Sequence, residues 1–236
     1  MSDPTSPVPA RPQQALPHSP EEWTRLPRCP EVVTVARSRG VTRVVHFTTV
    51  LGTVGILSSR AVKSRRRLPA DRHLEHVYRP NAVDRSGDIA WHDYVNLSLS
   101  RINAWMFDRS ERWHAYDDVS WVLLAFPPDI LDEPGVVFTT TNNIYPSCLR
   151  AEGLAGFHEM FRDPVLGRYS TPHTRVGLPD HFPTDRQAEV LYPGELALDT
   201  LQGIYVQLEQ ALDDIHGALG ALDLDYPVHL APEEFQ

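Results

Sequence analysis

The sequence predicts an α+β fold with a mainly antiparallel β-sheet. Segments rich in β-branched and aromatic residues outnumber helical segments, and the two kinds do not alternate in the strand–helix–strand order of a parallel sheet. No internal repeat and no compositional linker divides the chain after residue 45. Residues 37–236 are therefore predicted to form a single domain that ends in an acidic helix and tail.

The strand candidates follow one another along most of this domain. The first runs over residues 42–48, and five more lie at 94–99, 121–126, 136–141, 187–192 and 203–207. Apolar residues at helical spacing predict a short helix after the first strand and longer helices over 148–161 and 206–222. Between 163 and 185, prolines and glycines without any periodicity predict a long irregular loop.

The N-terminal segment differs from this domain in composition. Eight prolines stand among small and polar residues up to Pro30. Such a composition buries too little apolar surface to order a chain. Residues 1–36 are therefore predicted to be a disordered, proline-rich arm.

The composition argues against several protein classes. No apolar run approaches the roughly eighteen residues that a membrane span needs, and the N-terminus lacks the basic-then-apolar order of a signal peptide. We expect a cytoplasmic protein without a membrane partner. The two cysteines, Cys29 and Cys148, cannot build a disulfide framework, and neither has a partner at the spacing of a zinc or redox motif. No bound metal is expected.

The formal net charge of −9 is distributed unevenly along the chain. Half of the Lys and Arg residues lie between residues 37 and 85, whereas none follows Tyr192, where acidic residues accumulate. One face of an acidic protein can therefore still attract phosphate groups. The residues of the basic stretch that we expect to contact a nucleic acid are Arg65, Arg66 and Arg67.

Four groups of residues could carry chemistry. They are His46 in the first strand, Arg79 after the basic stretch, the run His92-Asp93-Tyr94-Val95, and Glu189 ahead of an apolar strand. Each of these groups, taken singly, also has an ordinary explanation without a catalytic role. A His in an apolar strand is more often a hydrogen-bonded core residue, an Arg beside a basic cluster is usually solvated, and a lone Glu can face water.

Taken together, these groups resemble the DarT family of DNA ADP-ribosyltransferases. The resemblance covers roughly residues 43–206 and lies in the order of the motifs, which are Val45-His46-Phe47-Thr48, Gly55-Ile56-Leu57, Arg79, His92-Asp93-Tyr94-Val95, Val137-Phe138-Thr139 and Gln187-Ala188-Glu189-Val190-Leu191. The last motif is the most specific of these, and the basic stretch is not specific.

The resemblance implies the ADP-ribosyltransferase fold, a split antiparallel β-sandwich with flanking helices that holds NAD⁺ in the cleft between its sheets. It implies that Glu189 is catalytic, together with Arg79. The residues that it assigns to NAD⁺ are His46, Phe47, Thr48, Arg79, His92 and Tyr94.

These residue types suit the implied chemistry. Breaking the bond between nicotinamide and ribose leaves a sugar with oxocarbenium character, which a nearby carboxylate stabilises. The attacking base nitrogen loses a proton, and a carboxylate within hydrogen-bond reach can accept it as a general base. The guanidinium of Arg79 suits the pyrophosphate, or charge that develops on the base, because its fork of donors matches paired oxygens.

The resemblance also implies that the loop before the catalytic Glu, here residues 163–185 with Arg175, contacts single-stranded DNA. Thymidine-modifying members place a His soon after the Phe-Thr strand, where this chain has Asn142 and Asn143. An amide pair can read a base edge through two hydrogen bonds, so the modified base is expected to be thymine or guanine. The family further implies a toxin of a toxin–antitoxin or phage-defence system, countered by a macrodomain-type antitoxin.

The residues alone leave other functions open. His46-x-Thr48 is half of the paired motif of two-histidine phosphoesterases, but no other histidine begins a second His-x-Ser or His-x-Thr. A metal hydrolase built on His73-x-x-His76 lacks the Glu of a zincin helix. Within the family's chemistry the acceptor could be RNA or protein. A non-catalytic nucleic-acid-binding module would use the arginines alone.

Overall fold

The computed structural model describes residues 14–68 and 89–236. Its helices are α1 (Pro20–Trp23), α2 (Pro30–Ser38), α3 (Val50–Ser59), α4 (Ala104–Trp113), α5 (Gly153–Glu159) and α6 (Glu209–Ala221). Its strands are β1 (Val44–Thr49), β2 (Ala61–Lys63), β3 (Tyr94–Leu99), β4 (Trp121–Phe126), β5 (Val137–Thr139), β6 (Arg150–Glu152), β7 (Val165–Leu166), β8 (Pro172–His173), β9 (Val190–Pro193), β10 (Glu195–Ala197), β11 (Gly203–Val206) and β12 (Val228–Leu230). No helix in these two ranges is long and apolar enough to cross a membrane.

Eight of the strands form one sheet in the order β12-β11-β4-β1-β3-β9-β5-β6. Neighbours in this sheet are antiparallel except for β11 and β12, which are parallel. Two small antiparallel pairs, β2 with β10 and β7 with β8, stand apart from it. The α+β class and the mainly antiparallel sheet predicted from the sequence are confirmed.

The large sheet divides at β3. Strand β1 pairs with β3 only at Val44, opposite Leu99, and at Val45, opposite Ser98. The other end of β3, from Tyr94 to Leu97, pairs with β9. Strand β3 therefore passes from one half of the sheet into the other, and the C-terminal part of β1 diverges from it. This opening is the split that the fold prediction requires.

The two faces of β1 pack in different ways because successive side chains of a strand point in opposite directions. Val45 and Phe47 join an apolar cluster with Phe107 of α4 and Trp121 of β4. On the other face, Val44 joins the main core, to which α3 and α6 also contribute. Helix α3 begins directly after β1 because the Thr49 hydroxyl accepts a hydrogen bond from the Gly52 amide at 3.0 Å, which caps the helix.

Most elements match the sequence prediction, and several differ. All six predicted strands are present, and those at 94–99 and 121–126 have the predicted ends. The helix predicted over 148–161 is wrong in its first part, since β6 precedes the shorter α5. The loop at 163–185 contains the β7–β8 hairpin. Helix α4 has no predicted counterpart, although Asn103 caps it by accepting from the Met106 amide at 3.1 Å.

The prediction of a disordered arm over residues 1–36 is wrong for its second half. Helix α2 places Val32 and Ala36 in the main core, where both are fully buried. Trp23 of α1 is buried as well. A few well-placed apolar residues therefore outweigh the proline-rich average composition, and Pro30 itself suits the first turn of α2. Residues 1–13 lie outside the described part of the chain.

Tyr94 fastens this N-terminal segment to the sheet. Its hydroxyl accepts hydrogen bonds from the Trp23 indole at 3.0 Å and from the His18 amide at 3.1 Å. The Trp23 and Tyr94 rings meet edge to face, with centroids 5.5 Å apart. Burial raises the pKa of Tyr94 above its ordinary value, so the phenol stays neutral. These contacts give Tyr94 a structural role.

We predict that Tyr94→Phe destabilises the protein by about 1–3 kcal/mol, because the buried Trp23 indole N–H loses its acceptor. Urea unfolding would measure this change in the free energy of unfolding. Tyr116→Phe is the matched control, since Tyr116 is fully exposed and its hydroxyl can bond to water. Equal stabilities for the two variants would contradict the anchoring role of Tyr94.

Candidate active site

Glu189 lies immediately before β9, at the point where this strand lies between β3 and β5. Thr139 at the end of β5 fixes its backbone. The Glu189 amide donates to the Thr139 hydroxyl at 2.8 Å, and the Glu189 carbonyl accepts from the Thr139 amide at 2.9 Å. Thr139 is fully buried. The main chain of Glu189 is therefore held by a rigid part of the sheet.

The Glu189 carboxylate receives a hydrogen bond on each oxygen. Asn96 Nδ2 donates to Oε1 at 3.1 Å, and the Asn143 amide donates to Oε2 at 2.7 Å. The residue is only 9% exposed. The Asn96 side chain and the Asn143 main chain thus aim a nearly buried carboxylate from two sides.

Arg150 holds the donor residue Asn143 in place. Arg150 Nε donates to Asn143 Oδ1 at 2.6 Å, and its Nη2 donates to the Asn143 carbonyl. Arg150 lies on β6 directly opposite Thr139 of β5. The order of contacts is therefore Arg150 to Asn143 to Glu189. A planar guanidinium fork suits this bracing because it fixes two acceptors at once.

His46 lies across the opening from Glu189. Its Nδ1 is 3.0 Å from the Asn96 carbonyl, and because a carbonyl only accepts, Nδ1 carries the proton. Burial lowers the pKa of His46, which favours the neutral ring. Nε2 is then a lone-pair acceptor, suited to a hydroxyl such as that of a ribose. Asn96 joins both halves of the site, since its carbonyl accepts from His46 and its side chain donates to Glu189.

The residues just before Glu189 are fixed by a buried carboxylate. Asp185 is fully buried and accepts from the Thr141 hydroxyl at 2.6 Å and from the Gln187 amide at 2.9 Å. The Tyr145 hydroxyl donates to Gln187 Oε1 at 3.0 Å. These bonds bind the Gln-Ala-Glu segment to the chain that follows β5. The motif that carries the most specific part of the family resemblance is therefore also held in place by hydrogen bonds.

The structure separates the residues that were assigned to NAD⁺. His46 and Thr48 share the face of β1 opposite the Phe47 cluster, and Thr48 is buried. Phe47 packs against Phe107 and Trp121, with centroids 5.8 and 6.0 Å away, which contradicts a contact with a ligand in the opening. Tyr94 is equally committed to Trp23. The carbonyl of His92 accepts from the Arg66 amide at 3.0 Å. Arg79 lies outside the described residues.

The arginines that were assigned to DNA also differ from one another. Arg65 and Arg66 are exposed on a short 3-10 turn. Arg67 is a structural residue, because its Nε lies 3.0 Å from Asp93 Oδ1. Arg175 braces its own loop by donating to the carbonyls of Phe182 and Pro179 at 2.9 and 3.1 Å. Arg67 and the donors of Arg175 are therefore engaged within the protein.

The side-chain oxygens of the amide pair that was predicted to read a base are engaged within the protein. Asn142 Oδ1 accepts from the Ile144 amide at 3.2 Å, and Asn143 Oδ1 accepts from Arg150. Both side-chain oxygens are therefore used by the chain itself. Asn143 Nδ2 is buried and has no hydrogen-bond partner among the described residues. The pair shapes the loop beside Glu189, and Asn143 positions the carboxylate through its main chain.

Sequence reasoning missed several residues that build the site. Asn96, Thr139 and Asp185 contact Glu189 or the segment that carries it, and Arg150 contacts Asn143, whose amide donates to Glu189. Alternation along β3 could have indicated Asn96, since it is a polar residue between buried Val95 and Leu97. The sequence offers no such signal for Arg150, whose contact depends on the pairing of β5 with β6. No group of metal-binding residues is found in the described ranges.

Three solved structures with a similar fold are of one protein, the DarT of Thermus sp. 2.9. The Thermus sp. 2.9 DarT in complex with carba-NAD⁺ aligns with a TM-score of 0.58 at 15% identity, over 83% of this chain and 98% of that one. The NAD⁺ complex of the same protein gives a TM-score of 0.58 at 14% identity over the same shares of the two chains. Its complex with ADP-ribosylated ssDNA gives 0.57 at 15% identity, over 84% and 97%. At these identities the likeness establishes the fold.

The family assignment comes from the sequence itself. No curated protein matches the chain. The family model described as ssDNA thymidine ADP-ribosyltransferase, DarT, matches residues 42–236, which is nearly all of the folded part. This span contains β1 with His46 at one end and Glu189 before β9. The chain belongs to the DarT family of ADP-ribosyltransferases.

Proposed function

We propose that the chain transfers the ADP-ribosyl group of NAD⁺ to a base of single-stranded DNA, with Glu189 as the catalytic carboxylate. The observation that carries the proposal is the position of Glu189 at the split of the sheet, with a donor on each carboxylate oxygen. Membership in the DarT family supports the same activity. The Thermus relative of similar fold has been solved with NAD⁺ and with ADP-ribosylated ssDNA.

In this proposal Glu189 acts on both halves of the reaction. Nicotinamide leaves with the electron pair of its bond to ribose, and the negative carboxylate stabilises the positive charge that develops on the sugar. A nitrogen of the base then bonds to the sugar carbon, and its proton passes to Glu189. Because Asn96 and Asn143 hold the carboxylate before substrate arrives, little reorganisation is needed when the charge develops.

His46 binds NAD⁺ in this proposal and takes no part in the chemistry. Its Nε2 accepts a hydrogen bond from a ribose hydroxyl, because Nδ1 is committed to the Asn96 carbonyl. Thr48 lies on the same face of β1 as His46 and is buried; its assignment to NAD⁺ rests on the resemblance. Arg79 binds the pyrophosphate or prepares the base, a role that rests on the resemblance alone. His92 is likewise assigned to NAD⁺ on the basis of the resemblance alone.

The acceptor base follows from the role of Glu189 as a base. Thymine and guanine carry a proton on a ring nitrogen, whereas adenine and cytosine carry their exchangeable protons only on exocyclic amines. A carboxylate can remove the ring proton as that nitrogen attacks. Single strands expose these nitrogens, while base pairing in a duplex covers them. We therefore include thymine and guanine in the proposal and exclude adenine and cytosine.

The biological role in this proposal is that of a toxin in a toxin–antitoxin or phage-defence system. A bulky, charged ADP-ribosyl group on a ring nitrogen blocks the edge used in base pairing. The reaction also consumes NAD⁺. A cell that carries such an enzyme needs a means to restrain it, and a macrodomain-type antitoxin that removes ADP-ribose meets that need.

We predict that Glu189→Gln lowers the rate of ADP-ribosyl transfer to single-stranded DNA by at least about 10²–10³-fold, because the neutral amide neither stabilises the sugar cation nor accepts the proton. The side-chain volume is nearly unchanged, so the fold should persist. Asn96 has an exposed side chain that can rotate to present its oxygen to the new amide. Incorporation of labelled NAD⁺ into single strands would measure the rate.

Glu209→Gln is the matched control for this variant, since Glu209 is exposed at the start of α6. It should transfer like the wild type. Calorimetry should find similar NAD⁺ affinity in wild type and Glu189→Gln. A folded Glu189→Gln protein with nearly normal transfer would refute the catalytic role of Glu189.

We predict that His46→Ala weakens NAD⁺ binding on the order of tenfold, the usual effect of losing a hydrogen bond in a partly buried site. Binding to the wild type should also depend on pH. Since the pKa of His46 is depressed, the ring stays neutral as the pH falls from about 8 to about 6.5. Affinity should therefore hold over this window and fall only at lower pH, where protonation turns Nε2 into a donor.

Calorimetric titrations of NAD⁺ at several pH values would test both parts of this prediction. His216→Ala is the control, because it removes an exposed imidazole from α6. Unchanged affinity in His46→Ala would remove His46 from the NAD⁺ site. An affinity that already falls above about pH 6.5 would show that a group with an ordinary His pKa governs binding.

A further inference from the structure

Residues 14–18 lie along the outer edge of β6, the last strand of the large sheet. The Ala15 amide donates to the Arg150 carbonyl at 2.6 Å, and the Arg150 amide donates to Gln14 Oε1 at 3.2 Å. An edge strand otherwise leaves such main-chain groups to solvent. Residues 14–18, called the strap from here on, therefore cover the edge of the sheet at Arg150.

The other end of the strap is fixed as well. His18 Nε2 lies 2.5 Å from Oε1 of Glu152, the last residue of β6. The His18 amide donates to the Tyr94 hydroxyl. Between the two ends, Ala15 packs against the apolar cluster that contains Tyr94. The strap is thus held by polar contacts at both ends and by an apolar contact between them.

The chain that follows the strap has a fitted place in the fold. The Trp23 ring lies against Gly135, where a Cβ atom would come within 2.5 Å of Trp23 Cδ1. Gly135 also has a φ of +81°, a conformation that favours glycine. Arg67 covers the Trp23 ring with its guanidinium carbon 5.5 Å from the ring centroid. These contacts fasten the chain close to the C-terminal end of the strap.

The strap bonds to the residue that braces the active site. The Arg150 side chain donates to Asn143 Oδ1, and the Asn143 amide donates to Glu189 Oε2. Gln14 adds a second link, because its Nε2 donates to the Cys148 carbonyl at 3.4 Å. The same carbonyl accepts from Arg150 Nη1 at 3.3 Å. A continuous series of hydrogen bonds therefore joins the strap to the Glu189 carboxylate.

Strand β6 depends on this support because it is short. It has three residues, and its sheet partner is β5, where Arg150 lies opposite Thr139. Residues of an antiparallel pair alternate between those that bond to their partner and those whose main-chain groups point outward. Arg150 is of the second kind, since its amide and carbonyl bond to the strap. The strap therefore fixes the main chain from which the bracing guanidinium extends.

We propose that the strap is a positioning element for catalysis, which holds Arg150 and, through Asn143, sets the orientation of Glu189. Gln14 and Ala15 are then positioning residues that act through Arg150. The family match begins at residue 42, so family membership assigns no role to the strap. The inference rests on the proposed function, because it takes Glu189 as the catalytic carboxylate.

The test compares Ala15→Pro and Gln14→Ala with wild type in steady-state transfer of ADP-ribose to single strands. Ala15→Pro removes the amide that donates to Arg150, and Gln14→Ala removes the acceptor of the Arg150 amide. Each variant should lower kcat on the order of tenfold, because a misplacement of about 1 Å can cost about 10²-fold. The KM values for NAD⁺ and for DNA should stay near those of wild type.

Two further variants control for the loss of a side chain. Gln14→Glu keeps an oxygen that can accept from the Arg150 amide, so it should recover most of the rate. Gln202→Ala removes an exposed amide side chain just before β11, in the other half of the sheet. It should transfer like wild type.

A double-mutant cycle separates positioning from a general loss of stability. If the strap acts through Arg150, Ala15→Pro should not lower kcat further in a protein that already carries Arg150→Ala. Rates are compared at a temperature at which circular dichroism shows that all variants are folded. Effects on kcat that multiply in the double variant would contradict the path through Arg150.

Wild-type kcat in both Ala15→Pro and Gln14→Ala would overturn the positioning role of the strap. Because Gln14 is exposed, its variant keeps the test decisive even if Ala15→Pro fails to fold. Such a result leaves the proposed function intact as long as wild type transfers ADP-ribose to single strands. A wild type without this transfer would overturn both the positioning role and the proposed function.

Discussion

Strand β1 pairs with β3 at two residues and then diverges from it, which leaves an opening between the two strands. The geometry of the site depends on Asn96, which bridges this opening from the β3 side. Its carbonyl accepts from His46 of β1, and its side chain donates to Glu189 beside β9. One residue therefore sets the tautomer of the imidazole and the orientation of the carboxylate. His46 and Glu189 are therefore coupled through this residue.

The remaining contacts make this opening rigid on the side that carries Glu189. Thr139 fixes the Glu189 main chain, and Arg150 holds Asn143 against the carboxylate. Asp185 is fully buried and bonded to both Thr141 and Gln187. Such preorganisation matters because a group aimed before the reaction pays no reorganisation cost in the transition state. The site is built by strand pairing and local polar bonds, and its main support is the β3–β9–β5–β6 half of the sheet.

The sequence predicted the strands well because their β-branched and aromatic residues form continuous runs, as in Trp121–Phe126. It also singled out His46 and Glu189 as candidates, since their motifs are local. It missed Arg150, because no local pattern reveals that β6 will pair with β5. It misplaced Phe47 and Tyr94, because a motif does not tell which cluster an aromatic ring will enter. The order within residues 14–36 was missed because composition averages hide the few apolar residues of α1 and α2.

The ion pairing of the arginines was the property that the sequence predicted least well, for a physical reason. Arg67 stands among basic residues yet is paired with Asp93, whereas Arg101 is isolated in the sequence yet lacks a carboxylate partner within the described residues. Clustering along the chain therefore does not indicate which charges are free for a ligand. That depends on carboxylates brought near by the fold, which composition cannot reveal.

Mass spectrometry of nucleosides after incubation with labelled NAD⁺ and homopolymeric single strands tests the central claim most directly. The account predicts an ADP-ribosyl group on a ring nitrogen of thymine or guanine, and no product on adenine or cytosine strands. An adduct on an exocyclic amine, or NAD⁺ left intact with every strand, would contradict it.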